Sequence, residues 1–489
     1  MSIDAKDVLD VPVGKQHRLS GKMGALSLAL TVLAFSAPLT TVSGYIPVAL
    51  MFGGVGSPLA FIIATAAILI FALGYVSLNS TVKRPGDFYA FISYGLGKSI
   101  GLGAGLTAAV SYFLILAGVA SFFGVSGAEL QKSLLGWALP WYDYTLVCWF
   151  VVAVLGYLHV ELSAKVLSWV MLTEVIICLS FSFGVIGSAH PDLPALAPFS
   201  PSELNKSGVN VPFTLLFIVS FFMGFEATAL FRDEVRLPEK TIPLATYGAI
   251  IFIGVLYTLC AYVMIMVYGS DIQSVAQNAP ATMFSDAFAK YVSPKFSLIV
   301  TVLVLTSSFA SVLSVHNVLS RYLHNLGTDG ALPNLLKKVH PRHSSPYIAS
   351  FTVSFMVLLI LIPFILNGVK PDLLYGQLAG VGSAGVIILM ATVCFSALAC
   401  YFHKGRTQKM SFLSMCVAPA VSSVFFIGLV FLVIKNFELL VGGEPGERRW
   451  MLYCLIAVLG AGALLAQYFK HMHPEIFAKL GRSHIDIEG

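Results

Sequence analysis

Sixty consecutive residues, 23 to 82, contain no Asp, Glu, Lys or Arg, and a second charge-free run lies between Lys98 and Glu129. About 20 apolar residues rising about 1.5 Å each cross the hydrocarbon core of a bilayer, so runs of this length commit the chain to a membrane. With 57% of its 489 residues hydrophobic and 11% charged, the chain has too little charge to coat several soluble domains and too much apolar surface for one. A soluble globular fold is excluded.

Charge-poor windows fall at 24–51, 56–82, 99–128, 143–160, 164–188, 212–232, 243–268, 296–323, 346–367, 374–402, 411–434 and 450–469. Backbone polar groups in lipid must be paired internally, and these windows are too long and too unalternating for barrel strands. The expectation is an all-α membrane protein of about twelve transmembrane helices. With the N-terminus inside, 21 of the 29 Lys and Arg fall on the inner side, in groups such as Lys83/Arg84, Arg232/Arg236/Lys240, Lys337/Lys338/Arg342 and Lys404/Arg406/Lys409. Positive charge accumulates on the cytoplasmic side, which predicts a multi-pass protein of the cytoplasmic (inner) membrane with both termini cytoplasmic.

The net charge of +5 belongs to these loops; no basic, aromatic-interleaved surface points to nucleic acid. The first 22 residues are polar and the first apolar window exceeds a signal-peptide core, so the first helix is expected to stay in the protein. The seven cysteines lack CxxC spacing and read as small packing residues. His159 and His316, near span ends, read as interfacial hydrogen-bonders, so no metal or other cofactor is expected. The run Gly101–Gly105 lacks the Lys-Ser/Thr of a phosphate loop and reads as a helix-packing surface. Paired His, paired Asp and Ser-His constellations are missing from the spans, which argues against an enzyme.

Two spans carry helix breakers near their middle. The first has Pro38 inside Ser36-Ala-Pro-Leu-Thr-Thr41, predicting a break around Ser36–Leu39. The sixth reads Phe221-Phe-Met-Gly-Phe-Glu-Ala-Thr228, with Gly224 beside a carboxylate. Interrupted helices at matching places in two blocks of five point to an inverted-repeat transporter with its site at the midplane between them.

Three loop blocks sharpen this. Arg84-Pro-Gly-Asp-Phe-Tyr-Ala-Phe-Ile-Ser-Tyr-Gly-Leu-Gly97, then Gly224-Phe-Glu226 with Asp233-Glu-Val-Arg-Leu-Pro-Glu-Lys-Thr-Ile-Pro243, then Asn317–Pro333 followed by His340-Pro-Arg-His-Ser-Ser-Pro346, occur in order. Together they resemble the amino acid–polyamine–organocation (APC) superfamily of permeases over roughly residues 20–470. The resemblance implies a five-plus-five inverted-repeat (LeuT-like) fold, with segments 23–190 and 211–403 as the repeats. It also implies two extra helices over 410–470, cytoplasmic segments at 1–22 and 471–489, and secondary active transport. The chain departs from the family where Ser36-Ala37-Pro38 replaces a Gly-Ser/Thr-Gly run, and where Glu174 stands in the fifth helix in place of a lysine.

A break at Pro38 is expected to leave N–H groups around Leu39, Thr40 and Thr41 for a substrate carboxylate. Carbonyls near Phe35, Ser36, Phe221 and Phe222 are placed to accept from its ammonium; an amine without a carboxylate would use these carbonyls and Glu226. Ala37, Gly224, Phe225 and Tyr112, with its neighbour Phe113, complete the expected pocket. Glu174 and Glu226 are the acids lying well inside the spans, with no Lys or Arg there, and ionisable groups at that depth mark proton or substrate paths. They are assigned to proton coupling or gating. Hydroxyls at Thr306, Ser307, Ser308 and Ser311 offer a sodium site, which is less favoured because such groups bond their own backbone. The expected partners are the bilayer, protons and an amino acid or small amine; an exchanger of the same substrates is the alternative, and a non-transporting sensor a more remote one.

Overall fold

The structure, a computed structural model, describes residues 23–157, 160–188, 192–280, 282–293, 297–341, 343–369, 371–408, 410–444 and 446–481. His159 lies outside them, as do residues 1–22, Arg342 and Lys409. Among the described residues ten helical stretches are long and apolar enough to cross a membrane. The first, Ala25–Val82, has 58 residues, nearly three times what one crossing needs. It folds as two spans joined at Gly53–Gly56, where Gly54 adopts φ 54° and the Ser57 hydroxyl closes the turn on the Gly54 carbonyl (2.8 Å). Counting the 17-residue apolar helix Trp141–Tyr157 as well, the described residues contain the expected twelve spans.

The second span is Ser57–Val82 and the third Lys98–Leu135. Trp141–Tyr157 is the fourth and Val160–Ser188 the fifth. The sixth is broken into Val211–Phe221 and Phe225–Glu234. The seventh is Pro238–Tyr268, the eighth Ser297–Thr328, the ninth Tyr347–Leu366 and the tenth Pro371–Gln408. Ala418–Lys435 and Arg449–Met472 close the series. Burial grades these helices: 83% of the sixth span's apolar window is buried, against 22% of the twelfth's. The broken sixth helix therefore sits at the centre. The twelfth lies at the rim, turning Ile456, Leu464 and Tyr468 outward, where lipid replaces water as the favourable neighbour of apolar side chains.

Small residues set the closest approaches. A Cβ added to Gly103 would lie 2.4 Å from the Leu459 carbonyl oxygen, and one on Gly462 would lie 2.6 Å from the Gly103 Cα, so the third and twelfth spans touch backbone to backbone. The glycine run is the packing surface its sequence suggested.

The eighth helix runs to Thr328, past the 296–323 window, and near the end of that window it carries a basic residue inside the bundle, which the expectation of no Lys or Arg well inside the spans passed over. Arg321 is fully buried. Its guanidinium forks onto both carboxylate oxygens of Glu234 at the end of the sixth span, donates to the Asn317 carbonyl (2.9 Å) and lies 4.3 Å above the Phe231 ring. A bidentate pair with its remaining donors satisfied is the geometry in which a buried ion pair persists. At the same end of the bundle Met23 pairs with Val235, its N–H donating to the Glu234 carbonyl.

After the twelfth span the chain turns back through a short helix, Pro474–Lys479. The Lys98 ammonium donates to the Phe477 and Ala478 carbonyls (2.9 and 2.7 Å). The Gly481 N–H is shared between the Tyr89 hydroxyl (2.7 Å) and the Asp329 carboxylate (2.9 Å), while Tyr89 itself donates to Asp329 (2.9 Å). Burial pushes the Asp329 carboxyl up to about 7, against the lowering pull of Tyr89, Gly481, Arg84 and Lys98.

A docked carboxyl that holds its proton more tightly than one released to water favours docking at low pH. Docking is strongest below the ordinary carboxyl value of 3.8, weakens as pH rises toward about 7, and stays weak above it. Hydrogen exchange of the 474–481 amides, corrected for intrinsic rates, should show roughly tenfold more frequent opening at about pH 8 than at about pH 5.5. Asp329→Asn should remove that difference.

Candidate substrate-binding site

The first helix ends where its sequence demands. Pro38 has no N–H to continue the ladder, so the helix Ala25–Ser36 stops and Ala37 takes a left-handed conformation (φ 44°, ψ 73°). Pro38 then opens the next segment, a position where its missing N–H costs nothing. The chain continues through a wide π-type turn, Thr41–Tyr45, into Ile46–Gly53. The unwinding is thus confined to one residue. A left-handed alanine costs about 1–2 kcal/mol, which the surrounding contacts must offset.

The sixth helix breaks by another route. Phe222 and Met223 donate to carbonyls three residues back (3.2 and 3.3 Å), Gly224 turns to φ 112°, and the chain resumes as a ten-residue 3-10 helix, Phe225–Glu234. A Cβ on Gly224 would sit 2.7 Å from the Cβ of Phe35, so the two breaks meet face to face.

Backbone groups freed at these breaks find partners inside the protein, and here the structure departs from the expectation of open N–H groups. Leu39 N–H donates to Glu174 Oε2 (3.0 Å), Thr40 N–H to Ser307 Oγ (3.2 Å) and Thr41 N–H to the Ala37 carbonyl (2.9 Å). Ser307 also donates to Glu174 Oε2 (2.8 Å). The positive end of the second half-helix is therefore capped by the protein's own carboxyl, as helix N-termini favour. On the carbonyl side Ser311 donates to Phe35 O (2.8 Å), Ser314 to Thr31 O (2.9 Å), Thr41 to Ser36 O (2.6 Å) and Ser36 to Phe221 O (3.1 Å). Tyr257 and the Ser36 hydroxyl form a further contact.

Glu226 knits the second break to the third span. Its Oε2 accepts the Gly224 N–H (2.8 Å), two residues back, and its Oε1 accepts the Tyr112 hydroxyl (2.9 Å). The Tyr75 hydroxyl bridges the Glu226 carbonyl and Asp87 Oδ1 (2.5 Å). Beneath the sixth span, outside the membrane segments, Asp87 is fully buried, and that burial and the nearby Glu226 carboxylate hold its carboxyl well above the usual range.

Between the breaks lies a cavity of about 70 Å³. Phe35, Ser36, Ala37, Thr40, Thr41 and Phe221 line it, six of the residues the sequence put forward. The others stand back from it. Leu39 and Phe222 point into the core, Gly224 packs on Phe35, and Phe225 packs against Phe71 and Tyr75. Tyr112 meets the Phe35 ring edge-on (5.9 Å) from behind, and neither Glu174 nor Glu226 reaches the wall. Sequence reasoning missed Ile115 and Val119, though both lie one and two turns beyond Tyr112, on the same helical face. It also missed Ala379 and Ser383 of the tenth span, where no breaker or charge flags the position. Of the hydroxyls put forward for sodium, Thr306 and Ser308 bond their own backbone, whereas Ser307 and Ser311 reach the first span at the Thr40 N–H and the Phe35 carbonyl.

Two broken helices meeting at a cavity deep in an all-helical membrane bundle describe a carrier, and comparison with known proteins bears on which kind. The amino acid permease family model matches residues 27–460, almost the whole membrane region. The chain belongs to that amino acid permease family. This permease is 25% identical over 406 residues to the branched-chain amino acid permease of Lactococcus lactis subsp. cremoris, covering 78% of the present chain and 83% of the relative. It is 24% identical over 358 residues to the methylthioribose transporter of Bacillus subtilis, with coverage of 67% and 74%. It is 23% identical over 329 residues to the putrescine transporter PotE of Escherichia coli, with coverage of 65% and 71%. The family and these relatives are transporters, not enzymes.

Gly224→Ala adds a side chain at positive φ and against Phe35, and should cost about 2 kcal/mol of stability and most substrate uptake. Gly248→Ala in the seventh span, which meets nothing within 4 Å, should leave both unchanged. Thermal melts and liposome uptake of the two variants side by side check the contrast.

Proposed function

We propose that this permease is a secondary active transporter that moves an amino acid or small amine across the cytoplasmic membrane, coupled to protons, by alternating access at the cavity between helices one and six. The observation that carries the reading is the meeting of two helix breaks at a cavity deep in the bundle, lined by residues of both breaks and by the hydroxyl residues Ser36, Thr40, Thr41, Ser220 and Ser311. In this reading segments 23–190 and 211–403 are the two inverted repeats, and both termini are cytoplasmic.

Barriers stand on either side of the cavity. On the outer side Tyr45 meets Phe221 (5.6 Å) and Tyr375 (5.4 Å), and Tyr375 meets Phe122 (4.9 Å). Inward, the Glu226–Tyr112 and Tyr75–Asp87 hydrogen bonds join the sixth span to the third and second. Opening to one side means parting one set while the other holds, which is alternating access in structural terms.

Proton coupling is supported by Glu174 and Glu226, buried carboxyls that each bridge a broken helix to a neighbour and that bond no Lys or Arg among the described residues. Each hydrogen bond they accept is strengthened by ionisation and weakened by protonation, so a proton gained or lost changes how firmly the broken helix is held. A sodium site at the eighth span has less support, since Ser307 and Ser311 are already engaged with Glu174 and the Phe35 carbonyl.

Uptake into liposomes under an imposed pH gradient tests the coupling, and sodium-dependent uptake indifferent to pH would overturn it. Glu226→Gln should retain substrate binding yet take up substrate about tenfold more slowly, with its pH dependence flattened. Wild-type pH dependence in that variant would remove Glu226 from the coupling.

A further inference from the structure

The donors and acceptors around the cavity are unequally free, and the imbalance bears on which cargo fits. Every N–H from Ala37 to Thr41 is committed: Ala37 to the Ala34 carbonyl, Leu39 to Glu174, Thr40 to Ser307 and Thr41 to the Ala37 carbonyl, with Pro38 having none. At the other break Phe222, Met223 and Gly224 donate to Val219, Ser220 and Glu226. Among the described residues no Lys, Arg or His lines the wall. The lining hydroxyls of Ser36, Thr41, Ser220 and Ser311 already donate to main-chain carbonyls at 2.6–3.1 Å, and Thr40 to a more distant one. Among the described lining residues only Tyr45 and Ser383 keep a hydroxyl proton for a guest.

Acceptors are in better supply. The carbonyls of Phe35 and Phe221 each take one hydroxyl, from Ser311 and Ser36, and a carbonyl oxygen has two lone pairs. Glu174 is hydrogen-bonded to Leu39, between the lining residues Ala37 and Thr40, and its Oε1 is buried with no partner. Glu226 is held by Tyr112, directly behind Phe35. Among the described residues the surroundings thus carry two carboxyls that bond no cation. A carboxylate, which only accepts, finds two neutral hydroxyls here and its helix-end seat filled by Glu174. An ammonium, which only donates, finds free carbonyl lone pairs.

Resting on the reading of this cavity as the transport site, we propose that the cargo is a small primary amine without an α-carboxylate, its ammonium on the Phe35 and Phe221 carbonyls. The short apolar wall of Ile115, Val119 and Ala379 faces its alkyl portion.

Matched pairs test this: isobutylamine against valine, and ethanolamine against serine, each measured for binding by calorimetry on the full-length detergent-purified protein and for counterflow in liposomes. At least one amine should bind about tenfold or more tightly than its parent amino acid, the effect of one unmet hydrogen bond in a closed site, and should exchange. N-trimethylation of that amine, which removes the N–H donors and keeps the charge, should weaken binding by a similar factor. Valine or serine binding as tightly as its amine, with counterflow, would overturn the amine assignment and leave the transport reading standing. Equal binding of the trimethylated form would overturn the carbonyl seat. An amine that binds without exchanging, or no binding and no counterflow by any of the four, would overturn the transport reading itself.

Discussion

The whole arrangement depends on the cost of an unpaired peptide group inside a membrane. Opening a helix at Ala37 exposes donors and acceptors that no water can satisfy, each worth several kcal/mol if orphaned. The protein meets that demand with side chains from two neighbours and one of the broken helix's own. Glu174 of the fifth span and Ser307 of the eighth take the N–H groups, Ser311 and Ser314 take the carbonyls, and Ser36 ties the first break to the sixth helix. The broken helix is held as a piece of the bundle, and its partners cannot shift without releasing it.

Much of this was legible in the chain. Charge-free windows located the spans because the bilayer admits few alternatives, and Pro38 located the first break because a proline cannot donate. Gly224 located the second, since only glycine combines φ 112° with contact against Phe35. Ala37 was less visible as the residue that turns left-handed, because alanine has no preference for that conformation and the neighbouring packing imposes it.

Other features were illegible for identifiable reasons. Arg321 looked like a loop residue because it belongs to the Asn317–Pro333 block at the end of the 296–323 window, whereas the helix itself runs to Thr328; its partner Glu234 comes from 87 residues away. The tenth span's Ala379 and Ser383 carry no local signal, since their place at the cavity is a product of packing alone. Glu174 was recognised as out of place in a membrane, but its position at a helix N-terminus depends on how the fifth span crosses the first. The Gly481 contacts with Tyr89 and Asp329 join parts of the chain remote in sequence, and no periodicity records them.

The ten-residue 3-10 segment of the sixth span, Phe225–Glu234, has a further consequence. Such helices rise about 2.0 Å per residue where an α-helix rises about 1.5 Å, and runs beyond four residues are uncommon because their hydrogen bonds are poorly aligned. Rewinding this stretch as an α-helix would shorten it by about 5 Å without breaking a covalent bond or moving a whole domain. With its far end anchored by the Glu234–Arg321 pair, the contraction would draw Glu226 and the Gly224 hinge toward that anchor. The segment is thereby a stretched spring set between the cavity and one face of the membrane.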